Sequence, residues 1–79
     1  MKKFIISIDA GTTSNRSILF DLKGRPIFSS QKEFTQYFPK NGWVEHDPEE
    51  IWVKTKKTLI DVINKAKKLR GKVLTIGIT

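Results

Sequence analysis

The sequence predicts an α/β fold with the element order β-β-β-α-β. Three short apolar runs separated by turn residues occupy the first 34 positions, a stripe of apolar residues at helical spacing follows residue 47, and a fourth apolar run comes last. Since a helix connects the third and fourth runs, we expect a mixed sheet in which the first and fourth strands are parallel neighbours and the helix is the crossover.

The first three strands are predicted to form a meander. The run "KFIISI" (3–8) is nearly continuous in apolar residues, as is typical of a buried strand, and "SILFD" (17–21) has the same character. The turn "LKGR" with Gly24 then leads into "PIFSSQKEF" (26–34). An early proline and a polar middle indicate that this third strand is the more exposed one.

The helix has several start and stop signals. Asp47 is a candidate N-cap, Pro48 suits the first helical position, and Glu50 completes a predicted capping box. Acids cluster at the start and bases at the end, with Gly71 as the stop, which predicts about 22 residues ending near Arg70. The expected core-facing stripe comprises Trp52, Thr55, Leu59, Val62, Ile63, Ala66 and Leu69.

The fourth strand is predicted at "KVLTIGIT" (72–79), where Gly77 suggests a close backbone approach. One helix covers only one face of a sheet, so the other face is expected to cause self-association. The face predicted to be strongly apolar carries Phe4, Ile6, Ile8, Ile18, Phe20, Leu74, Ile76 and Ile78.

Composition excludes some classes of site. The 79 residues include no cysteine and one histidine, so disulfides, thiolate metal sites and histidine clusters are excluded. No segment has the roughly 20 apolar residues of a membrane span, and Asp9 interrupts the first apolar run too early for a signal peptide, so we expect a cytoplasmic protein without membrane contacts.

The net charge of +7 comes largely from residues 54–72. A small basic module that binds nucleic acid through this helix is one hypothesis, with steep salt dependence as its mark. Aromatic residues do not alternate with the lysines as base stacking requires, so a solvated helix face is favoured.

The segment "DAGTTSNR" (9–16) contains most of the candidate chemistry. Gly11 allows unusual backbone geometry and close approach of a ligand, and the amides of Gly11 to Ser14 are candidates for an anion nest. Thr12, Thr13 and Ser14 add hydroxyls, and Arg16 adds a fork of charged donors suited to phosphate. Asp9 is compatible with phosphate if Mg²⁺ lies between them, usually through water. A plain hairpin turn, in which such residues are common, is the alternative.

The sequence also resembles a known family. "IDAGTTSNR" resembles the first phosphate loop of the sugar-kinase branch of the actin and Hsp70-like ATPases, "PKNGWVEHDPEEIW" resembles the segment that follows in glycerol kinases, and "IGIT" is similar to the next strand. The paired threonines, Ser14, Arg16 and "GWVEHDP" favour the glycerol kinases among the FGGY carbohydrate kinases over the xylulose and gluconate kinases.

By this resemblance, Thr12, Thr13 and Ser14 match residues that contact the phosphates of ATP, with Thr12 also near the phosphorylated product. Arg16 matches a nucleotide-site arginine, and Asp9 the acid associated with Mg²⁺. Ala10 and Asn15 depart from the glutamine and the serine or threonine usual there. In "GWVEHDP" a structural role is expected, with Trp43 packing on the helix and His46 in the capping region, and Trp52 is expected in the core.

The resemblance implies a ribonuclease-H-like fold of the actin type, of which residues 1–79 would be the incomplete amino-terminal part. The whole enzyme would transfer the terminal phosphoryl group of ATP to glycerol, giving glycerol 3-phosphate. In glycerol kinases the glycerol-binding motif, the general base and the adenine pocket follow later in the chain. We therefore assign no catalytic residue here and expect no activity without the remainder of the kinase. Another FGGY polyol or sugar kinase, and a split gene product active only on reassembly, are the alternatives.

Overall fold

The computed structural model describes residues 2–35 and 46–79. Its elements are β1 (Lys2–Ala10), β2 (Ser14–Asp21), β3 (Pro26–Glu33), α1 (Pro48–Lys68) and β4 (Gly71–Ile78). The predicted order β-β-β-α-β is confirmed. The turns expected at Pro39, Asn41 and Gly42, and the expected packing of Trp43, lie outside the described residues.

The strands form one mixed sheet in the order β3-β2-β1-β4. β1 and β2, and β2 and β3, pair antiparallel through tight connections, whereas β1 and β4 pair in parallel with a register shift after Phe4. The turn between β2 and β3 is closed by the predicted glycine, because Gly24 has φ 81° and its N–H donates to the carbonyl of Asp21 at 3.1 Å. α1 is the crossover that parallel pairing of β1 and β4 requires, as predicted.

The helix start agrees with its predicted cap but not with the capping box. Asp47 has extended backbone angles and its Oδ1 accepts the N–H of Glu49 at 3.0 Å. The carboxylate of Glu50 does not fold back to the N-cap. It accepts the N–H and the hydroxyl of Thr35 at 3.0 and 2.7 Å, and lies 3.2 Å from Lys54 Nζ. Glu50 thus joins α1 to the chain beyond β3, and the capping-box prediction is wrong because tertiary donors take its oxygens.

The helix ends two residues earlier than predicted, and Gly71 has a different role. Arg70, with φ 56°, takes the left-handed conformation that the prediction gave to Gly71. Gly71 instead begins β4, where a Cβ would lie 2.0 Å from Cε2 of Phe4. The glycine is required because the Phe4 ring packs directly on its Cα.

The sheet packs one face on α1 and leaves the other open. Side chains alternate along a strand, and direct cross-strand partners share a face. Because Ile6 pairs with Leu19, the residues Ile18 and Phe20 lie on the face opposite Ile6, which corrects the predicted grouping. The core between sheet and helix contains Phe4, Ile6, Leu19, Val62 and Ala66, with Phe28, Leu59, Ile63, Leu69 and Val73 partly buried around it.

The predicted helix stripe is right except at its first member. Val62 and Ala66 are buried against the sheet, but Trp52 is 63% exposed, so its predicted place in the core is wrong. Thr58, absent from the predicted stripe, is fully buried. The interface between α1 and the sheet therefore begins one helical turn later than expected, and it includes the hydroxyl of Thr58. His46 packs edge-on against Phe34, with ring centroids 5.9 Å apart, in keeping with a structural role.

Three polar contacts join the middle of α1 to the sheet. Asn15 donates its side-chain amide to the hydroxyl of Thr55, the hydroxyls of Ser17 and Thr58 lie 2.9 Å apart, and the hydroxyl of Ser30 donates to Asp61 Oδ2 at 2.9 Å. The bond from Ser30 lowers the pKa of the Asp61 carboxyl below its usual value. These contacts fix the first residues of β2, and hence the loop before it. Among the described residues, no helix has the length and hydropathy needed to cross a membrane.

Candidate functional site

The polar loop is shorter than the sequence suggested. β1 extends to Ala10 and β2 begins at Ser14 rather than at the predicted Ser17, so only Gly11, Thr12 and Thr13 form the turn. Asn15 and Arg16 are strand residues. The hydroxyl of Ser14 and the guanidinium of Arg16 are therefore held on sheet backbone near the carboxyl end of β1, with Thr12 and Thr13 in the turn beside them. This end of the sheet is the candidate site.

Gly11 closes the turn and does not serve as a free anion donor. Its N–H donates to the carbonyl of Ser14 at 2.9 Å, so this amide is already paired and the predicted nest loses one member. Its φ is not in the left-handed region, which corrects the expectation of an unusual backbone conformation. Close approach explains the glycine, since a Cβ would lie 2.9 Å from the Ser14 carbonyl oxygen.

Asp9 and Arg16 are direct cross-strand partners on the open face of the sheet. Arg16 Nη2 lies 3.5 Å from Asp9 Oδ2, and the two side chains are 46% and 52% exposed. An exposed pair of this length is a weak interaction. Each group is thus free to turn to a ligand at a small cost, while the strands keep both at one end of the sheet.

Gln31 on β3 completes this cluster, and sequence reasoning missed it. It is the cross-strand partner of Arg16, and its Nε2 donates to Ser14 Oγ at 3.0 Å. A cavity of about 250 Å³ is lined by Asp9, Gly11, Ser14, Arg16 and Gln31. The signal for Gln31 lay in the pairing of β3 with β2, because alternation puts every second residue of β3 on the face of Arg16.

Two further contacts hold the loop. The N–H of Phe34 donates to the carbonyl of Thr13 at 2.8 Å, and the N–H of Thr79 donates to the carbonyl of Ile8 at 2.9 Å. Asn15, treated from the sequence only as a departure from a family pattern, is 5% exposed and bonded to Thr55. The turn is therefore held from three sides, by residues beyond β3, by the end of β4 and by α1.

A larger cleft of about 540 Å³ lies at the opposite end of the sheet. It is mainly apolar, and its acid, Asp21, is already engaged: Oδ1 accepts the N–H groups of Lys23 and Arg25, and Oδ2 pairs with Arg25 Nε at 2.8 Å. The backbone N–H of Arg25 lowers the pKa of the Asp21 carboxyl. We favour the smaller cavity as the site because it gathers the hydroxyl of Ser14 and the guanidinium of Arg16 beside the carboxylate of Asp9.

Three lysines of the basic helix contact other side chains of the chain. Lys54 and Lys57 pair with Glu50 and Asp61 at 3.2 and 3.1 Å, and Lys65 Nζ lies 5.6 Å above the ring of Phe28. Three of the lysines are thus engaged by the chain's own side chains. This arrangement favours the solvated helix face over a nucleic-acid surface.

Comparison with known proteins decides the family. The family model described as the FGGY family of carbohydrate kinases, N-terminal domain, matches residues 4–79. The chain belongs to this family. The resemblance predicted from the sequence is thereby confirmed.

Curated glycerol kinases match along the whole chain. That of Petrotoga mobilis is 49% identical over 79 residues, and that of Oceanobacillus iheyensis 54% identical over 78. The chain spans 16% of the length of each.

Solved structures of FGGY kinases share the fold. The Plasmodium falciparum glycerol kinase with ADP superposes with a TM-score of 0.85 at 32% identity, over 99% of this chain and 16% of that one. The Lactobacillus acidophilus gluconate kinase gives 0.77 at 31% identity, over 82% of this chain and 13% of that one. The predicted ribonuclease-H-like, actin-type α/β fold is confirmed.

Proposed function

We propose that this chain forms the nucleotide-phosphate clamp of a glycerol kinase-like phosphotransferase, which transfers the γ-phosphoryl group of ATP to glycerol and gives glycerol 3-phosphate. The observation that carries the proposal is the grouping of the Ser14 hydroxyl and the Arg16 guanidinium around the cavity at the end of β1. Thr12 and Thr13 lie in the adjoining turn. The identity to glycerol kinases over the whole chain and the likeness to a glycerol kinase with ADP support it.

The clamp acts by positioning and by charge stabilisation, which are the protein's main tasks in phosphoryl transfer. The amides of Thr12 and Thr13, with the hydroxyls of Thr12, Thr13 and Ser14, are the proposed donors to the phosphate oxygens. Arg16 offers a charged fork that suits negative charge spread over a transferring phosphoryl group. Gly11 contributes the tight turn, and Thr12 is the proposed contact nearest the phosphorylated product.

Asp9 fits a water-mediated Mg²⁺ better than direct multidentate binding. The described residues contain no group of three or more His, Cys, Asp or Glu side chains placed to hold a metal ion. Mg²⁺ often keeps several waters and binds through one or two carboxylates plus substrate phosphates. A single exposed carboxylate beside a phosphate cavity meets that need, so we propose Asp9 for the acid that orients the Mg²⁺ of the nucleotide complex. When bound, the ion supplies neutralisation of phosphate charge.

The competing hypotheses differ in their support. The alternative that the chain is part of another FGGY sugar kinase is retained, because gluconate and xylulose kinases share the fold with TM-scores of 0.77 and 0.76. The small nucleic-acid module gains nothing from these relatives. Three expectations remain predictions: that residues 1–79 form an incomplete domain, that the remainder of the kinase is the partner of this chain, and that the chain self-associates.

The clamp is tested by nuclear magnetic resonance on the labelled chain, titrated with Mg²⁺·ADP and with inorganic tripolyphosphate. The expected shift changes centre on Gly11 to Ser14 and on Arg16, and become smaller in Arg16→Gln and Thr13→Val. Lys67→Gln is the matched control, since it removes a charge from the far end of α1 and should leave the titration unchanged. Shift changes confined to residues 54–72 would contradict the clamp and favour the basic module.

The reaction is tested in a chimera in which this chain replaces the matching segment of the Petrotoga mobilis glycerol kinase. We expect glycerol-dependent formation of ADP, with kcat/KM lowered about 100-fold by Arg16→Leu, the loss typical of removing one donor to a developing charge. A chimera that folds and binds glycerol but transfers no phosphoryl group would refute the proposal.

A further inference from the structure

We infer that Gln31 on β3 is a positioning residue, which orients the hydroxyl of Ser14 toward the phosphate cavity. The inference rests on the proposed function. Its basis is the contact from Gln31 Nε2 to Ser14 Oγ at 3.0 Å, made by two side chains that both line the cavity.

The direction of this hydrogen bond determines what Ser14 can do. A serine hydroxyl carries one proton and two acceptor lone pairs. If Gln31 donates, one lone pair of Ser14 is occupied and the hydroxyl proton stays free to donate elsewhere. Phosphate oxygens only accept hydrogen bonds. A serine whose hydroxyl proton is free can therefore donate to phosphate, whereas a serine that already donates its proton to a neighbouring side chain cannot.

The position of Gln31 in the sheet makes the contact possible. Gln31 stands directly opposite Arg16, while Ser14 is opposite Glu33, so Gln31 reaches Ser14 diagonally across the antiparallel pair. Diagonal neighbours of this kind are within reach of long side chains. β1, β2 and β3 thus hold Asp9, Arg16 and Gln31 in a row across three strands, with Ser14 beside its end.

The neutral amide also suits the electrostatics of the row. A lysine at this position would repel Arg16, whereas a carboxylate would pair with Arg16 and repel phosphate. An amide supplies a donor to Ser14 and leaves the guanidinium available. A glutamine on β3 at this position therefore suits the role of orienting the Ser14 hydroxyl.

A double-mutant cycle tests the inference on the whole chain, with Mg²⁺·ADP and tripolyphosphate as probes and the side-chain amide signal of Gln31 as a spectroscopic reporter. Gln31→Met keeps length and removes the donor, and Ser14→Ala removes the hydroxyl. We expect each to weaken binding about tenfold, which is within the range for one hydrogen bond to a charged group. The double variant should bind no more weakly than Ser14→Ala alone, and Ser14→Ala should shift the Gln31 side-chain amide signal already in the absence of ligand.

Ser29→Met is the matched control, because Ser29 is exposed on the same face of β3 and pairs with Ile18, away from the loop. It should bind like the unchanged chain. Effects that multiply in the double variant, or normal binding by Gln31→Met, would overturn the role of Gln31 while leaving the clamp intact. Absence of loop-centred binding by the unchanged chain would overturn the proposed function, and the inference with it.

Discussion

Ser17 Oγ lies 2.9 Å from Thr58 Oγ1, and both residues are fully buried between β2 and α1. Thr58 donates its proton to the carbonyl of Thr55 at 2.8 Å, so Ser17 is the donor in the pair. Buried hydroxyls stabilise a fold only when they are paired. The two residues therefore fix α1 at one register on the strand that carries Ser14 and Arg16.

Thr58→Val should destabilise the chain because it leaves the hydroxyl of Ser17 buried without its acceptor. The expected loss is about 1–3 kcal/mol in the free energy of unfolding, measured by urea denaturation. Combining it with Ser17→Ala should recover part of this loss, since both polar groups are then gone. A double variant that loses the sum of the two single effects would show that the pair does not act as a unit.

Gly71→Ala should lower stability by about 2–3 kcal/mol, because a Cβ there would lie 2.0 Å from the ring of Phe4, which must move within a packed core. Gly77→Ala is the matched control on the same strand, where no atom lies within 4 Å of the added Cβ. It should change stability by less than about 1 kcal/mol. Thermal melting of both variants makes the comparison, and equal losses would argue against the Phe4 contact as the reason for the glycine.

Asp47→Ala should cost about 1 kcal/mol, because it removes the acceptor for the N–H of Glu49 at the start of α1. Asp47→Ser keeps an acceptor and should retain most of the stability. The midpoint of urea unfolding measures the stability of both variants. An unchanged midpoint in the alanine variant would contradict the cap.

Stability should fall as the pH drops below about 4.5, with Asp61 and Glu50 as named contributors. Hydrogen bonds from the hydroxyls of Ser30 and Thr35 lower the pKa of Asp61 and of Glu50 in the folded chain. The unfolded chain therefore binds more protons in this range. The contribution is complete above the unfolded pKa values and disappears as the pH falls through the folded ones. Asp61→Asn, which keeps an acceptor for Ser30, should make unfolding less steeply dependent on pH between 5 and 3. An unaltered dependence of the unfolding free energy on pH would show that Asp61 does not contribute to it.

The sequence predicted the elements better than their contacts. Apolar runs, Pro48 and Gly24 are local signals, and they predicted the element order, the helix start and the turn between β2 and β3. Gly71, Glu50 and Trp52 were assigned wrong roles because each role depends on tertiary structure. The ring of Phe4 packs on Gly71, Thr35 donates to Glu50, and the contacts of α1 with β2 begin at Thr55, after Trp52. At the site, the residue types were evident, but Gln31 and the paired amide of Gly11 depended on strand register. A run of polar residues does not reveal where β2 begins, because Ser14, Asn15 and Arg16 gain their strand conformation by pairing with β3.

The chain should self-associate at tens of micromolar, a range in which exposed apolar surface and unpaired strand edges promote association. The face opposite α1 carries Ile5, Ile18, Phe20 and Ile27, which corrects the set expected from the sequence. β4 is an edge strand whose Leu74, Ile76 and Ile78 are 47%, 44% and 76% exposed. Sedimentation of the unchanged chain should give a mass above that of one copy.

Two variants distinguish the surfaces involved in this association. Ile78→Lys places a charge on the edge, a device by which sheets resist edge pairing, whereas Ile18→Lys places one on the open face. The variant that restores a monomer identifies the surface that is used. Trp52→Gln changes an exposed residue of α1 and should leave the association unaltered. A clean monomer from the unchanged chain at these concentrations would contradict the prediction.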